Sequence, residues 1–174
     1  QIDSIGLSKA REFVHFGLTS QDINNTAVPM LMRDATHLEL IPLLENLLIR
    51  FQKIARQNRN VSMLARTHGQ PASPTTLGKE LFVYSERLKL QLQKLKSYKF
   101  SGKFGGATGN FNAHVIAYPK KNWASWANNF LKSKLQLERQ QTTTQIAHYD
   151  EIAEWCHLLI RINTILIDFC RDIW

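Results

Sequence analysis

Apolar residues recur every three or four positions through four stretches of this chain, and polar junctions separate them. The first stretch runs from about 21 to 57, with Ile23, Ala27, Met30, Leu31, Leu38, Ile41, Leu44, Leu48 and Phe51 at mostly helical spacing. Just ahead of it, Thr19 and Asp22 have the spacing of a capping box, with Asp in place of Glu. Pro29 predicts irregular first turns, and Pro42 predicts a kink rather than an end, because the period resumes beyond it. The second stretch carries Leu77, Leu81, Tyr84, Leu88, Leu92 and Leu95 on one face, with Lys79, Glu80, Glu86, Arg87, Lys89 and Lys94 opposite. Ser73 as N-cap and Pro74 at the first helical position predict where it starts. A shorter helix is expected over 123–134. A last one begins near Asp150 with Ile152, Trp155, Cys156, Leu159, Ile162, Leu166, Phe169, Cys170 and Ile173. No strand alternation of useful length is visible; 61–65 reads as a short extended or irregular link, and 1–14 as the end of a preceding helix and its connection. The pattern predicts an all-α fold of long, mostly antiparallel helices joined by polar loops.

Composition narrows this picture. A hydrophobic share of 44% over 174 residues supports one domain with a real core and excludes a disordered tail. The chain opens on Gln1 rather than Met, and its last apolar pattern still runs at Trp174 with no Gly or Asn to stop it, so a piece of a longer protein is expected. No window approaches the roughly 18 apolar residues of a membrane span, and no secretory signal opens the chain, which makes the cytoplasm the default and a membrane partner unexpected. The two cysteines, Cys156 and Cys170, fall in one predicted helix roughly 21 Å apart at 1.5 Å per residue, too far for a disulfide. Reduced thiols fit a reducing compartment. The net charge of +8 points to an anionic partner such as phosphate, a polycarboxylate or nucleic acid.

Candidate chemistry sits in the junctions at 15–22, 65–76 and 102–114. Each holds one histidine (His15, His68, His114), hydroxyls and small residues beside a possible helix N-terminus or backbone donors, which suits anions. Thr19, Ser20 and Ser73 can equally serve as caps, and His15, His68 and His114 can equally be packed or turn histidines. His37, His148 and His157 have nothing polar organised around them. No metal site is expected, because no His-x3-His, Cys-x2-Cys or clustered carboxylate pattern occurs. Gly102, Gly105, Gly106 and Gly109 match neither the phosphate-binding P-loop nor the dinucleotide fingerprint, so no nucleotide cofactor is expected either. Lys89, Lys94, Lys96, Lys99 and Lys103 interleave with Tyr98, Phe100 and Phe104, a pattern seen in single-stranded nucleic-acid binding. The plainer reading is the solvated face and end of a long helix.

Taken together and in order, the junctions resemble the fumarase/aspartase superfamily, and within it the adenylosuccinate lyase family. The segments that carry this are 14–25 (VHFGLTSQDINN), 65–80 (ARTHGQPASPTTLGKE), 105–114 (GGATGNFNAH), 143–146 (TTQI) and 163–169 (NTILIDF). A carboxymuconate cycloisomerase-like relative is a neighbouring possibility, and a non-catalytic basic helical module, binding protein or nucleic acid, is the competing class. The resemblance implies that residues 1–174 are the central part of a long-helix bundle of the fumarase/aspartase type, truncated at both ends. It implies a homotetramer with composite sites built from three subunits, a small anionic nucleotide substrate, no cofactor, and no nucleic-acid partner. The implied reaction is β-elimination of fumarate from adenylosuccinate to give AMP, and from the succinyl-aminoimidazole-carboxamide ribotide earlier in purine synthesis. By the same resemblance His68 is the catalytic acid, Thr67 a ligand of the succinyl carboxylate, and His15, Thr19 and Ser20 part of the substrate pocket. Gln145 corresponds to a glutamine that contacts substrate, and Asn110 lies in the family's glycine-rich segment. The family's base is a serine in a Ser-Ser-x-Met-Pro-x-Lys-x-Asn loop that does not occur in these 174 residues, so they are expected to be inactive alone. After Gln145 the chain reads Ile146-Ala147-His148-Tyr149-Asp150, where close relatives tend to have Glu-Pro-His-Asp.

Overall fold

A computed structural model describes residues 2–174. Its long helices are α1 (Ser20–Ala35), α2 (Ile41–Gln57), α3 (Leu77–Ser97), α5 (Trp123–Leu135) and α6 (Asp150–Ile173), with a short α4 (Asn112–Ala117). Residues 2–14, expected to end a helix, form two 3-10 turns, Asp3–Ile5 and Ser8–Phe13, and residue 1 lies outside the described residues. No helix among the described residues is long and apolar enough to cross a membrane.

The expected long first helix is α1 and α2 joined by one π-helical turn, Thr36–Leu40. That turn lies directly ahead of Pro42, whose ring in a regular helix would meet the carbonyl four residues back, so the disturbance takes this form. The irregularity expected at Pro29 is absent. A proline there frees the carbonyl of Asn25, and the Lys103 N–H takes it at 3.3 Å.

The chain divides into two compact units. Of the described residues, the first comprises 2–33 and 99–151, the second 34–98 and 152–174. In the second, α2, α3 and α6 bury one shared core of Ile41, Leu44, Phe51, Tyr84, Leu88, Leu92, Leu95, Leu158, Ile162 and Ile165. The predicted face of α3 is the buried one, while in α6 the face is turned so that Leu158, Ile162 and Ile165 lie deepest and both cysteines are exposed. Phe169 packs against Phe51 with its ring tilted by 34° and meets Tyr84 edge-on, at centroid distances of 4.3 and 5.3 Å. Tyr84 donates to Asp172, and Arg87 donates to Asp168 at 2.8 Å.

The second unit also contains strands where none were expected. Strands β1 (Ser62–Thr67) and β2 (Gln70–Thr76) form an antiparallel hairpin pairing Ser62 with Thr76 and Thr67 with Gln70. Ser73 and Pro74 are therefore strand residues, with Pro74 opposite Leu64; the helix start moves to Leu77, where the Thr76 hydroxyl accepts from the Lys79 N–H at 3.3 Å. The register shifts between Leu64 and Arg66, opposite the span from Pro71 to Pro74. Prolines without N–H groups are tolerated here because each strand of a two-stranded sheet is an edge.

In the first unit, two-residue strands β3 (Ser101–Gly102) and β4 (Glu138–Arg139) pair in parallel. The expected apolar stripe of α1 is not its buried side: Ile23 and Leu31 are 49% and 69% exposed. The buried residues are Asp22, Asn25, Thr26 and Pro29. These polar groups satisfy the backbone of two distant segments: the Thr26 hydroxyl donates to the Lys103 carbonyl at 3.0 Å in the glycine-rich segment, and Asn25 Oδ1 accepts from the Ala147 N–H at 2.6 Å ahead of α6.

Candidate functional site

The first unit gathers three of the polar segments around the N-terminus of α1. Residues 13–18 approach it through tight turns, with His15 and Gly17 both left-handed at φ 63° and 64°. His15 is exposed, and so is Ser20, the first residue of α1. The capping box predicted from Thr19 and Asp22 is present in its acidic half: Asp22 Oδ2 accepts from the Thr19 N–H at 2.8 Å. The Thr19 hydroxyl instead accepts a long bond, 3.4 Å, from Gln145 Nε2. Two residues singled out from the sequence, 126 positions apart, thus meet at the mouth of a 16-residue helix. A hydroxyl and an amide beside free helix N–H groups can hold a carboxylate or a phosphate.

The carboxylate of Asp22 binds the glycine-rich segment below this junction. Oδ1 accepts from Lys103 Nζ at 2.8 Å and from the Gly105 N–H at 3.0 Å, and the Gly106 N–H lies 3.3 Å from Oδ1 and 3.1 Å from Oδ2. Lys103 is 0% exposed, and its ammonium also donates to the Gly106 carbonyl at 2.7 Å. It is therefore not part of a solvated basic stripe, and Phe100 and Phe104 are buried with it. Two further lysines of the run are paired at the surface, Lys96 with Glu45 and Lys99 with Glu138. Asn110 is exposed and lies between left-handed Gly109 and Phe111, in a loop closed by the Phe111 N–H donating to the Gly105 carbonyl at 2.8 Å.

His114, the histidine of the 102–114 junction, lies on α4. It is 1% exposed, and neither ring nitrogen has a hydrogen-bond partner. Its ring meets Trp123 at 4.8 Å, Phe16 and Phe104 at 5.5 Å, and Phe111 at 5.7 Å. Burial pushes its pKa down, with the Asp22 carboxylate pulling the other way. It forms part of the wall of an aromatic cavity of about 620 Å³ with Phe16, Phe104, Trp123 and Trp126. Arg139, also buried, joins the glycine-rich segment to the 140–145 junction: it donates to the carbonyl oxygens of Phe104 and Gln140 at 3.2 Å and to Gln141 Oε1 at 2.9 Å.

His68 and Thr67 belong to the second unit. His68 and Gly69 are the two turn residues of the β1–β2 hairpin, both left-handed at φ 47° and 76°. A two-residue turn with both central residues left-handed matches the right-handed twist of its strands. The result displays the His68 imidazole at an exposed tip, with Thr67 exposed beside it as the last residue of β1.

From sequence, Asp22 reads only as a cap and Lys103 only as one of a run of lysines, and Arg139 is not singled out; His114 is named as the histidine of its junction, with a packed role as the plainer reading. For Lys103 one local signal exists: it is flanked by Gly102, Phe104 and Gly105 rather than by helix-forming neighbours.

A helix bundle whose polar, anion-suited groups cluster at junctions between helices defines a class of ligand-binding or catalytic α-proteins. Residues 2–174 match a family model described as Lyase, and the chain belongs to that lyase family. It is 52% identical over 166 residues to adenylosuccinate lyase of Dictyostelium discoideum, covering 94% of this chain and 36% of the relative. It is 40% identical over 168 residues to adenylosuccinate lyase of Vibrio cholerae, covering 97% and 37%. Among solved structures, 3-carboxy-cis,cis-muconate lactonizing enzyme from Pseudomonas putida aligns with a TM-score of 0.81 at 27% identity, over 97% of this chain and 37% of that one. The chain thus spans little more than a third of the length of these relatives.

Proposed function

We propose that the full-length protein is a carbon–nitrogen lyase that eliminates fumarate from adenylosuccinate to give AMP, and from the succinyl-aminoimidazole-carboxamide ribotide. The observation that carries this reading is the 52% identity to an adenylosuccinate lyase over nearly the whole chain. In this reading a base removes the proton beside one succinyl carboxylate, the carbanion is held as a dianion, the C–N bond breaks, and an acid protonates the departing nitrogen. His68 is the acid, its imidazole displayed at the hairpin tip, and Thr67 holds a succinyl carboxylate. His15, Thr19, Ser20, Asn110 and Gln145 line the part of the pocket in the first unit, where the Thr19–Gln145 contact supports a shared role. The base is the serine of a loop outside these 174 residues, so they release no fumarate by themselves. The working form is a cytoplasmic homotetramer whose sites combine residues of three subunits, with no cofactor, membrane or nucleic acid involved.

The test is steady-state turnover of adenylosuccinate by the full-length protein, followed by the ultraviolet change as substrate is consumed. His68→Ala lowers kcat by about 10²–10⁴-fold, the range for loss of a general acid, with the fold retained by circular dichroism. A His68→Ala protein that turns over at the parent rate refutes the assignment of the acid. Turnover of a carboxymuconate and none of adenylosuccinate, or salt-dependent RNA binding with no turnover of either, refutes the reaction.

A further inference from the structure

We propose that Asp22 and Lys103 are positioning residues: their buried ion pair sets the backbone of Thr19 and Ser20 against the loop that carries Asn110, and so fixes the substrate-facing geometry of the first unit. The proposal rests on the lyase reading above for the identity of the substrate. The pair is desolvated, with side-chain exposures of 0% and 1%. Burying an ammonium and a carboxylate costs several kcal/mol per ion before their attraction offsets it, and well-packed apolar residues of similar volume often serve stability as well or better. Stability alone therefore gives little reason for an ion pair here, and its connections give a better one.

The Asp22 carboxylate receives the Thr19 N–H on one side and Lys103 Nζ with the N–H groups of Gly105 and Gly106 on the other. One side chain thus ties residue 19 to residues 103–106. Lys103 closes the arrangement from the loop side, since the same ammonium that meets Asp22 also holds the Gly106 carbonyl at 2.7 Å. Its own N–H and carbonyl are held by Asn25 and Thr26 of α1, so the stem cannot slide along the helix. The loop returns from Gly106 through Asn110 to the Phe111 N–H, bonded to the Gly105 carbonyl. Moving Asp22 or Lys103 therefore displaces the anchor points on either side of Asn110 and the residue ahead of Ser20 together.

The test uses the full-length protein with Lys103→Met, which keeps the stem and removes the charge, and Asp22→Asn, which keeps the shape. Each is measured for kcat and KM with adenylosuccinate, and for exchange of the Thr19, Gly105 and Gly106 amides. The expected result is a KM raised by about tenfold or more, a smaller change in kcat, and exchange accelerated at those three amides but not in α5, the scale of losing one charge-assisted hydrogen bond. Unchanged KM in folded variants, or exchange accelerated equally in α5, overturns the proposal, because a merely structural pair lowers the melting temperature without moving KM. Should both variants fail to fold, exchange in the parent protein decides: amides held by Asp22 exchange as slowly as those of α5, and fast exchange overturns it. If the parent turns over no adenylosuccinate, the lyase reading has failed; local acceleration in the variants then sustains the anchoring of Thr19 and its absence overturns it.

Discussion

Gly17→Ala is the sharpest single test of how the first unit is assembled. A Cβ built on Gly17 falls 2.6 Å from His114 Cε1 and 2.7 Å from Nε2, and the residue sits at φ +64°. Two costs follow. An alanine held in the left-handed region loses about 1–2 kcal/mol, and forcing a methyl into a packed site adds about 1–3 kcal/mol. The second cost is not relieved by moving the imidazole, which Phe16, Phe104, Phe111 and Trp123 surround. The expected destabilisation is about 2–5 kcal/mol. Removing His114 opens the space the methyl needs, so in a His114→Ala background only the backbone cost remains. A double-mutant cycle on the full-length protein should then give a favourable coupling of about 1–3 kcal/mol between the two substitutions. Denaturation followed by tryptophan fluorescence is suited to this, since Trp123 lies 4.8 Å from the His114 ring. Effects additive within about 0.5 kcal/mol, or an unchanged melting temperature in Gly17→Ala, refute the close approach.

Two further outcomes concern protonation. His114 has its pKa lowered by burial, so as pH falls below about 6.5 the unfolded chain takes up the proton first and stability is lost down to the folded pKa. His114→Phe cannot titrate there, and its melting temperature should fall less steeply with acid than that of the parent; parallel profiles refute the assignment. Tyr84 has its pKa raised to about 12 by burial and by the hydrogen bond to Asp172. Its contribution to stability is present below about pH 10 and lost as pH rises through 12. Tyrosinate absorbance should show a late-titrating group that moves to lower pH in Asp172→Asn, and no late group in the parent refutes it.

The parts of this fold that local pattern reveals are those whose buried side is apolar. In α3, Leu81, Tyr84, Leu88, Leu92 and Leu95 recur at helical spacing and are the residues buried, because burial of that stripe holds the helix in place. The hairpin escapes the same reasoning. Most of its side chains are exposed on both faces, so no alternation marks it, and Ser73-Pro74 imitates a helix start. What specifies it is the left-handed pair at His68 and Gly69, and only glycine announces that conformation in sequence.

The assembly around α1 is hidden for a different reason. Its buried stripe is polar, and a polar stripe is buried only when partners elsewhere satisfy it. Those partners lie 77 to 122 residues away in sequence: Lys103 for Asp22 and Thr26, Ala147 for Asn25. Local periodicity cannot register a pairing at that distance, so α1 reads as an ordinary amphipathic helix with its apolar side inward. The proline at 29 carries the clue in both directions. It looks like a helix defect, yet the Asn25 carbonyl it leaves free is the acceptor on which the Lys103 backbone docks. A helix interior that tolerates a proline, beside a lysine set among glycines and phenylalanines, is therefore what a buried polar seam looks like from sequence. In this chain that seam runs directly beneath Thr19 and Ser20.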